Sequence, residues 1–363
     1  MMQVQCTNCR QAYPETGAAY RCPKCGGLFD FSEALRFDPK GIEPEQPGIW
    51  RYRHSFGLPA EYEPVSLGEG NTPLVWDRVF GVQVAFKCEY LNPSGSFKDR
   101  GSALIAGFLR GQGVQAALED SSGNAGASLA AYAARAGIRL RVFIPDSATG
   151  PKRAQIQAYG AEIVRILGPR SNAAEAVRRA AENGEVYASH AYLPYNLPGY
   201  ATLAYELCDQ LGDAPGSLIA PAGQGGLILG IFRGFQALQQ AGLVERTPAL
   251  VGVQARACAP LWALASYGQA GLAWVAEAQT LAEGIRVLHP LRGDAVMQAV
   301  SASQGMFVAV DEEDITRGRS ELARRGFYVE PTSAVVWNGL AQTVGKIPEP
   351  IVLVLTGSGL KSN

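Results

Sequence analysis

The chain is nearly without net charge: 32 lysines and arginines meet 33 aspartates and glutamates over 363 residues, leaving −1. No bulk field therefore gathers nucleic acid or an anionic membrane, and neither is expected as a partner. No basic stretch followed by an apolar run opens the sequence, which argues against secretion and for a cytoplasmic protein. Long apolar runs are missing too. The longest uncharged run, residues 257–276, is broken by Pro260, Gln269 and Tyr267-Gly268, and reads as buried helix and loop rather than a membrane span. Cysteine is scarce beyond residue 25, where only Cys88, Cys208 and Cys258 occur. The total of seven is odd, and its skew to the N-terminus points to metal rather than a disulfide framework.

Hydrophobic residues make up 47% and charged residues 18%, the balance of a globular protein, and the length suits two or three domains at about 150 residues each. Cys6-x-x-Cys9 and Cys22-x-x-Cys25 stand 12 residues apart. Two such pairs on tight turns can place four thiolates at the corners of a tetrahedron around structural Zn²⁺, with no open coordination position for catalysis. Residues 1–30 thus read as a zinc-ribbon-like segment, and Pro39 to Gly48, rich in proline and glycine, as its linker.

From residue 82 the chain alternates strand-like and helix-like stretches. Strands are expected over 82–90, 138–144, 162–167, 185–189, 217–220, 250–253 and 351–355, with helices over 125–136, 152–159, 173–182 and 227–239 and another opening near Lys98. The apolar strand runs suit sheets covered on both faces, so the fold class is α/β with parallel sheets. Ligands in such folds sit at the carboxyl ends of strands.

Four loops at such places are unusual. Asn92-Pro93-Ser94-Gly95-Ser96-Phe97-Lys98 ends on a lysine at a helix start, where the helix's positive end disfavours the ammonium form. Ser121-Ser122-Gly123-Asn124 offers hydroxyls, an amide and free N–H groups as an anion cradle, or else an ordinary capped helix start. Ala222-Gly223-Gln224-Gly225-Gly226 lets backbone amides converge on a phosphate. It lacks the G-x-G-x-x-G spacing, since Ile228 takes the last glycine position, and the P-loop Gly-Lys-Ser/Thr is also missing, which argues against a nucleotide-dependent oxidoreductase. Thr356-Gly357-Ser358-Gly359 brings a hydroxyl to a strand end beside glycines that would let a flat ring approach.

In this order the four loops resemble those of the fold-type II pyridoxal-phosphate enzymes, the tryptophan-synthase-β-like superfamily, and within it the threonine synthases. The resemblance extends to Trp50-Arg51-Tyr52-Arg53, Leu67-Gly68-Glu69-Gly70-Asn71-Thr72-Pro73-Leu74, Glu330-Pro331-Thr332-Ser333-Ala334 and Leu355-Thr356-Gly357. The cysteine-rich start is similar to those of some threonine synthases and of cysteate synthase.

The resemblance implies a lyase of threonine biosynthesis that turns O-phosphohomoserine and water into L-threonine and phosphate, with pyridoxal 5′-phosphate as cofactor. It implies that Lys98 binds the cofactor's aldehyde and then moves protons, and that Asn124 meets its ring oxygen. Gly223, Gln224, Gly225 and Gly226 would hold its phosphate, with Thr356 facing its ring nitrogen. Ser121, Ser122 and Gly123 would cradle the α-carboxylate of a small amino-acid substrate, and Cys6, Cys9, Cys22 and Cys25 would bind Zn²⁺. A homodimer is implied, with residues 31–100 and 191–363 as a large domain and 101–190 as a small mobile one.

Two positions depart from the family. Asn196 stands where members commonly carry a phosphate-gripping arginine, and Ser358 where many carry histidine; residues 180–221 hold no arginine at all. An amide brings no positive charge to a phosphate dianion. A β-elimination or β-replacement on serine, threonine or O-phosphoserine is therefore the alternative reaction.

Overall fold

The computed structural model describes residues 3–148 and 150–362. Its strands are β1 (Val4–Cys6), β2 (Phe29–Phe31), β3 (Leu74–Val79), β4 (Val82–Lys87), β5 (Ala116–Glu119), β6 (Arg139–Pro145), β7 (Glu162–Ile166), β8 (Ser217–Pro221), β9 (Ala249–Ala255), β10 (Met306–Val310) and β11 (Ile351–Val354). Its helices are α1 (Lys98–Gly111), α2 (Asn124–Ala136), α3 (Pro151–Ala158), α4 (Arg170–Glu182), α5 (Asn196–Leu211), α6 (Gly226–Gln240), α7 (Pro260–Tyr267), α8 (Gly293–Ala302), α9 (Glu312–Arg324) and α10 (Pro331–Thr343). Two compact units emerge, one running to Gly70 and resuming over Lys98–Gly199, the other formed by Asn71–Phe97 and Tyr200–Ser362.

The first unit holds the parallel sheet β5-β6-β7 and the small antiparallel pair β1-β2. Its α1 is buried continuously from Asp99 to Leu109, as befits a helix covered on all sides. Residues 31–70 cluster with this unit, where Trp50 is buried against α1. A Cβ on Gly107 would meet the Trp50 ring at 2.8 Å, and Trp50 Nε1 donates to the Val65 carbonyl at 3.1 Å. Alanine-rich α2 ends at Gly137, whose φ of 73° lets the Ile138 amide bond back to the Ala133 carbonyl at 2.9 Å. The strand expected over 185–189 shrinks to one parallel bridge, Leu118 to Tyr187, beside β5.

The second unit holds a six-stranded sheet in the order β10-β9-β8-β11-β4-β3, parallel except for the edge strand β3. Strands β8, β9 and β11 are buried at every residue, as both-face coverage requires. Val84, Phe86, Ile219, Val253 and Leu353 pack with Val335, Val336, Trp337 and Leu340 of α10. Residues 257–276 are partly exposed rather than buried: α7 and a 3-10 turn leave Tyr267 and Trp274 in solvent. Among the described residues no helix is long and apolar enough to cross a membrane.

Candidate active site

In the first unit Lys98 is the opening residue of α1. Burial pushes its ammonium down to about 8, with the Glu119 charge opposing and the Arg170 charge assisting. An amine so placed is nucleophilic near neutral pH. The next residue, Asp99, is fully buried and accepts from Ser128 Oγ of α2 at 2.6 Å, which ties the start of α1 to α2.

The loop Ser121-Ser122-Gly123-Asn124 follows β5 and runs into α2. Gly123 is the N-cap, and no side chain caps the helix; Ser121 Oγ instead accepts from the Gly123 amide at 3.2 Å. The ordinary capped start is thus excluded. Gly126 is forced by the same geometry, because a Cβ there would lie 1.8 Å from the Ser121 carbonyl oxygen.

A second cluster adjoins this loop. Glu119, the last residue of β5, is fully buried, and burial pushes its carboxyl up to about 7 against the charges of Lys98 and Arg170. His190 Nδ1 lies 3.5 Å from Glu119 Oε1. The His190 carbonyl accepts from Asn196 Nδ2 at 2.6 Å, so the buried Asn196 has an N–H committed to the main chain. Asn196 opens α5, whose first turn meets α1 at Gly199: a Cβ there would meet the Arg100 carbonyl oxygen at 2.1 Å. Sequence reasoning named Asn196 but passed over Glu119 and His190. The signal available was an acidic residue at the end of a strand, two positions before a cradle loop.

The second unit carries the remaining expected residues. Gly223, Gln224, Gly225 and Gly226 link β8 to α6; Gly225 is the N-cap with φ of 77°, and no side chain caps the helix. The Gln224 side chain turns away to accept from the Leu291 amide at 3.0 Å, leaving the loop lined by backbone. Gln254, which the sequence did not single out, donates to the Ala222 carbonyl at 2.9 Å and steadies this loop. Thr356 is buried after β11, its amide donating to Ser333 Oγ at 2.8 Å, and its own Oγ1 has no hydrogen-bond partner among the described residues. Ser358 Oγ accepts from the Leu360 amide at 3.2 Å.

At the N-terminus the sulfurs of Cys6, Cys9, Cys22 and Cys25 all lie within 4.8 Å of one another. Cys6 to Cys25 is 3.5 Å and Cys9 to Cys22 is 3.6 Å. Tetrahedral zinc with bonds of about 2.3 Å would separate its sulfurs by about 3.8 Å. Gly26 takes φ of 72°, whereas Gly27 is demanded by space: a Cβ there would sit 2.9 Å from Cys6 Sγ. Arg10 takes φ of 59° at the matching place after the first pair.

A family model described as pyridoxal-phosphate dependent enzyme matches residues 65–357. The chain belongs to the pyridoxal-phosphate dependent enzymes. Among curated relatives, the threonine synthase of Methanocaldococcus jannaschii is 32% identical, covering 99% of this chain and 93% of its own. That of Mycobacterium tuberculosis strain H37Rv is 35% identical, covering 89% and 91%. A solved threonine deaminase of T.th. aligns with a TM-score of 0.67 at 27% identity, over 79% of this chain and 92% of that one. Maize serine racemase aligns with a TM-score of 0.68 at 22% identity, over 79% and 88%, a likeness of fold.

The residues of this pyridoxal-phosphate dependent enzyme fit the cofactor that its family name states. Lys98 is an amine with a lowered proton affinity. The glycine loop is an uncapped helix start in which a Cβ on Gly225 would strike Val296 at 2.4 Å, so only bare backbone can stand there. The buried Thr356 hydroxyl, without a partner among the described residues, has a hydrogen bond left to give.

Proposed function

We propose that this enzyme is a threonine synthase that converts O-phosphohomoserine and water into L-threonine and phosphate. The observation that carries the reading is full-length similarity to proteins of that name, spanning both units and the four-cysteine start. When bound, pyridoxal phosphate supplies an electron sink for charge developing on the substrate's carbon skeleton. Lys98 would hold the cofactor's aldehyde and carry protons, a task suited to an amine near neutrality. The amides of Gly223, Gln224, Gly225 and Gly226 grip the phosphate at the start of α6. Thr356 Oγ1 would donate to the ring nitrogen, and Asn124 would meet the ring oxygen. Ser121, Ser122 and Gly123 receive the α-carboxylate at the uncapped start of α2.

Cys6, Cys9, Cys22 and Cys25 hold structural zinc, supported by the spacing of their sulfurs. A cytoplasmic homodimer, with a small domain that moves over the cofactor, follows from the family resemblance.

The test is incubation with O-phosphohomoserine and assay of both products. Threonine and phosphate should appear in equal amounts, and Lys98→Ala should abolish both. The alternative is elimination or replacement on serine, threonine or O-phosphoserine. It is favoured by the N–H that Asn196 commits to the His190 carbonyl, which weakens this side chain as a phosphate donor. Formation of ammonia and a 2-oxo acid from those substrates, with no threonine from O-phosphohomoserine, would establish it.

A further inference from the structure

We propose that Glu119 and His190 form a carboxylate–imidazole pair that positions Lys98 and sets how firmly it holds its proton. The proposal rests on the reading of Lys98 as the cofactor's lysine.

Glu119 differs from three other buried glutamates, each held by side-chain donors. Glu69 accepts from Ser66 Oγ, the Leu67 amide and Tyr132 Oη. Glu89 accepts from Thr72 Oγ1 and Asn92 Nδ2, and Glu206 from Lys87 Nζ and the Asn71 amide. Neither oxygen of Glu119 has a side-chain hydrogen-bond partner among the described residues, although the residue has no solvent exposure; only the amides of Asp120 and Ser121 stand near its carboxylate. A carboxyl retained only for packing would be hydrogen-bonded or replaced by an apolar side chain. Its position is also that of a functional group: the carboxyl end of a parallel strand, with Asp120 alone between it and the cradle loop.

His190 completes the pair. Its Nδ1 faces Glu119 Oε1 at 3.5 Å and likewise has no hydrogen-bond partner among the described residues. The separation is slightly long for a bond, as acid–base contacts often are before substrate arrives. Burial and the nearby Lys98 charge keep the imidazole neutral, so Nδ1 can accept. The other charged neighbours in this unit are Asp120, held by Tyr187 Oη at 2.7 Å, and Arg170 at the start of α4.

Two states follow. With Glu119 ionised, its negative charge favours the protonated amine of Lys98. With Glu119 protonated, its O–H donates to His190 Nδ1, and the hold on the Lys98 proton relaxes. The pair acts through Lys98, so its members are positioning residues.

The test is the pH dependence of Lys98 acylation in the full-length protein, read by peptide mass spectrometry with an amine-reactive reagent. Glu119→Gln should move the Lys98 midpoint to lower pH by roughly one pH unit. Glu119→Asp should restore part of the wild-type midpoint. His190→Leu should move it the opposite way, because Glu119 then loses the acceptor for its proton and stays ionised. A merely structural pair would alter stability and leave every midpoint alone; unchanged midpoints in Glu119→Gln, or in His190→Leu should Glu119→Gln not fold, overturn the proposal. In parallel, protein incubated with pyridoxal phosphate is reduced with borohydride and mapped. An unmodified Lys98 peptide there refutes the cofactor reading, while the acylation midpoints still decide the role of Glu119.

Discussion

Lys87 Nζ, wholly buried, lies 2.9 Å from Oε2 of Glu206. The same ammonium donates to the Thr72 carbonyl at 2.8 Å and to Gln210 Oε1 at 3.0 Å, so every proton of the lysine is used. Glu206 also accepts from the Asn71 amide at 2.7 Å. The network fastens the loop before β3 to α5 and the end of β4. Glu206→Gln should destabilise the protein by about 3 kcal/mol, because it strands a buried ammonium, and Lys87→Met should cost a similar amount. The paired replacement Lys87→Met with Glu206→Leu should cost clearly less than the two single losses combined. Urea unfolding of the four proteins checks this.

Gly126 offers a separate handle on the cradle loop. Gly126→Ala drives a methyl to 1.8 Å from the Ser121 carbonyl oxygen, so the loop or the first turn of α2 must shift. The expected outcome is a loss of roughly 1–3 kcal/mol, with a rise in KM for the amino-acid substrate larger than any fall in kcat. Calorimetry and steady-state kinetics read the two effects separately.

Stability should depend on pH with a definite sign. Burial lifts Glu69 and Glu119 from an ordinary 4.5 to about 7 in the folded chain. Between these values the folded state holds protons that the unfolded chain has released, so stability falls as pH rises through this window. The penalty is absent below 4.5 and complete above about 7. Glu119→Gln and Glu69→Gln should each flatten that slope in urea unfolding measured across the window. A slope unchanged in both variants would contradict the assignment.

If the four cysteines hold zinc as proposed, removing it should be costly to the first unit. Full-length protein purified with zinc should carry one ion per chain, and Cys22→Ser should carry almost none. A strong chelator should lower Tm and broaden the transition, because a ribbon this small draws its stability from the metal. Metal analysis and calorimetry before and after zinc is restored test both statements.

Much of the fold was legible because buried parallel strands have little freedom in composition. The runs at β8, β9 and β11 could hardly be anything else. Strand β3 was not legible: Asp77 and Arg78 interrupt its pattern, and it is an edge strand with Val75 and Trp76 exposed. Helix α5 hid behind Pro198 and Gly199 in its first turn, where proline is in fact tolerated. The stretch 185–189 looked like a strand because Val186 and Tyr187 suit one, yet it meets β5 through a single bridge. In the site, glycines and hydroxyls gave the loops away by spacing. Glu119 and His190 did not, because what sets them apart is their meeting, and they are 71 positions apart in the sequence.

The ribbon shares aromatic packing with the segment that carries His190. Tyr13 lies edge-on to Tyr195 and Phe108 of the first unit, with ring centres 5.6 and 6.0 Å apart. Tyr20 meets Tyr187 at 5.2 Å and Tyr192 at 5.3 Å, and Arg21 donates to the Tyr192 hydroxyl at 2.9 Å. Residues 187–195 thus have the ribbon against their rings and His190 in their midst. Removing the four-cysteine start, or grafting it elsewhere, would strip the rings of Tyr187, Tyr192 and Tyr195 of their packing and so disturb the stretch that presents the imidazole.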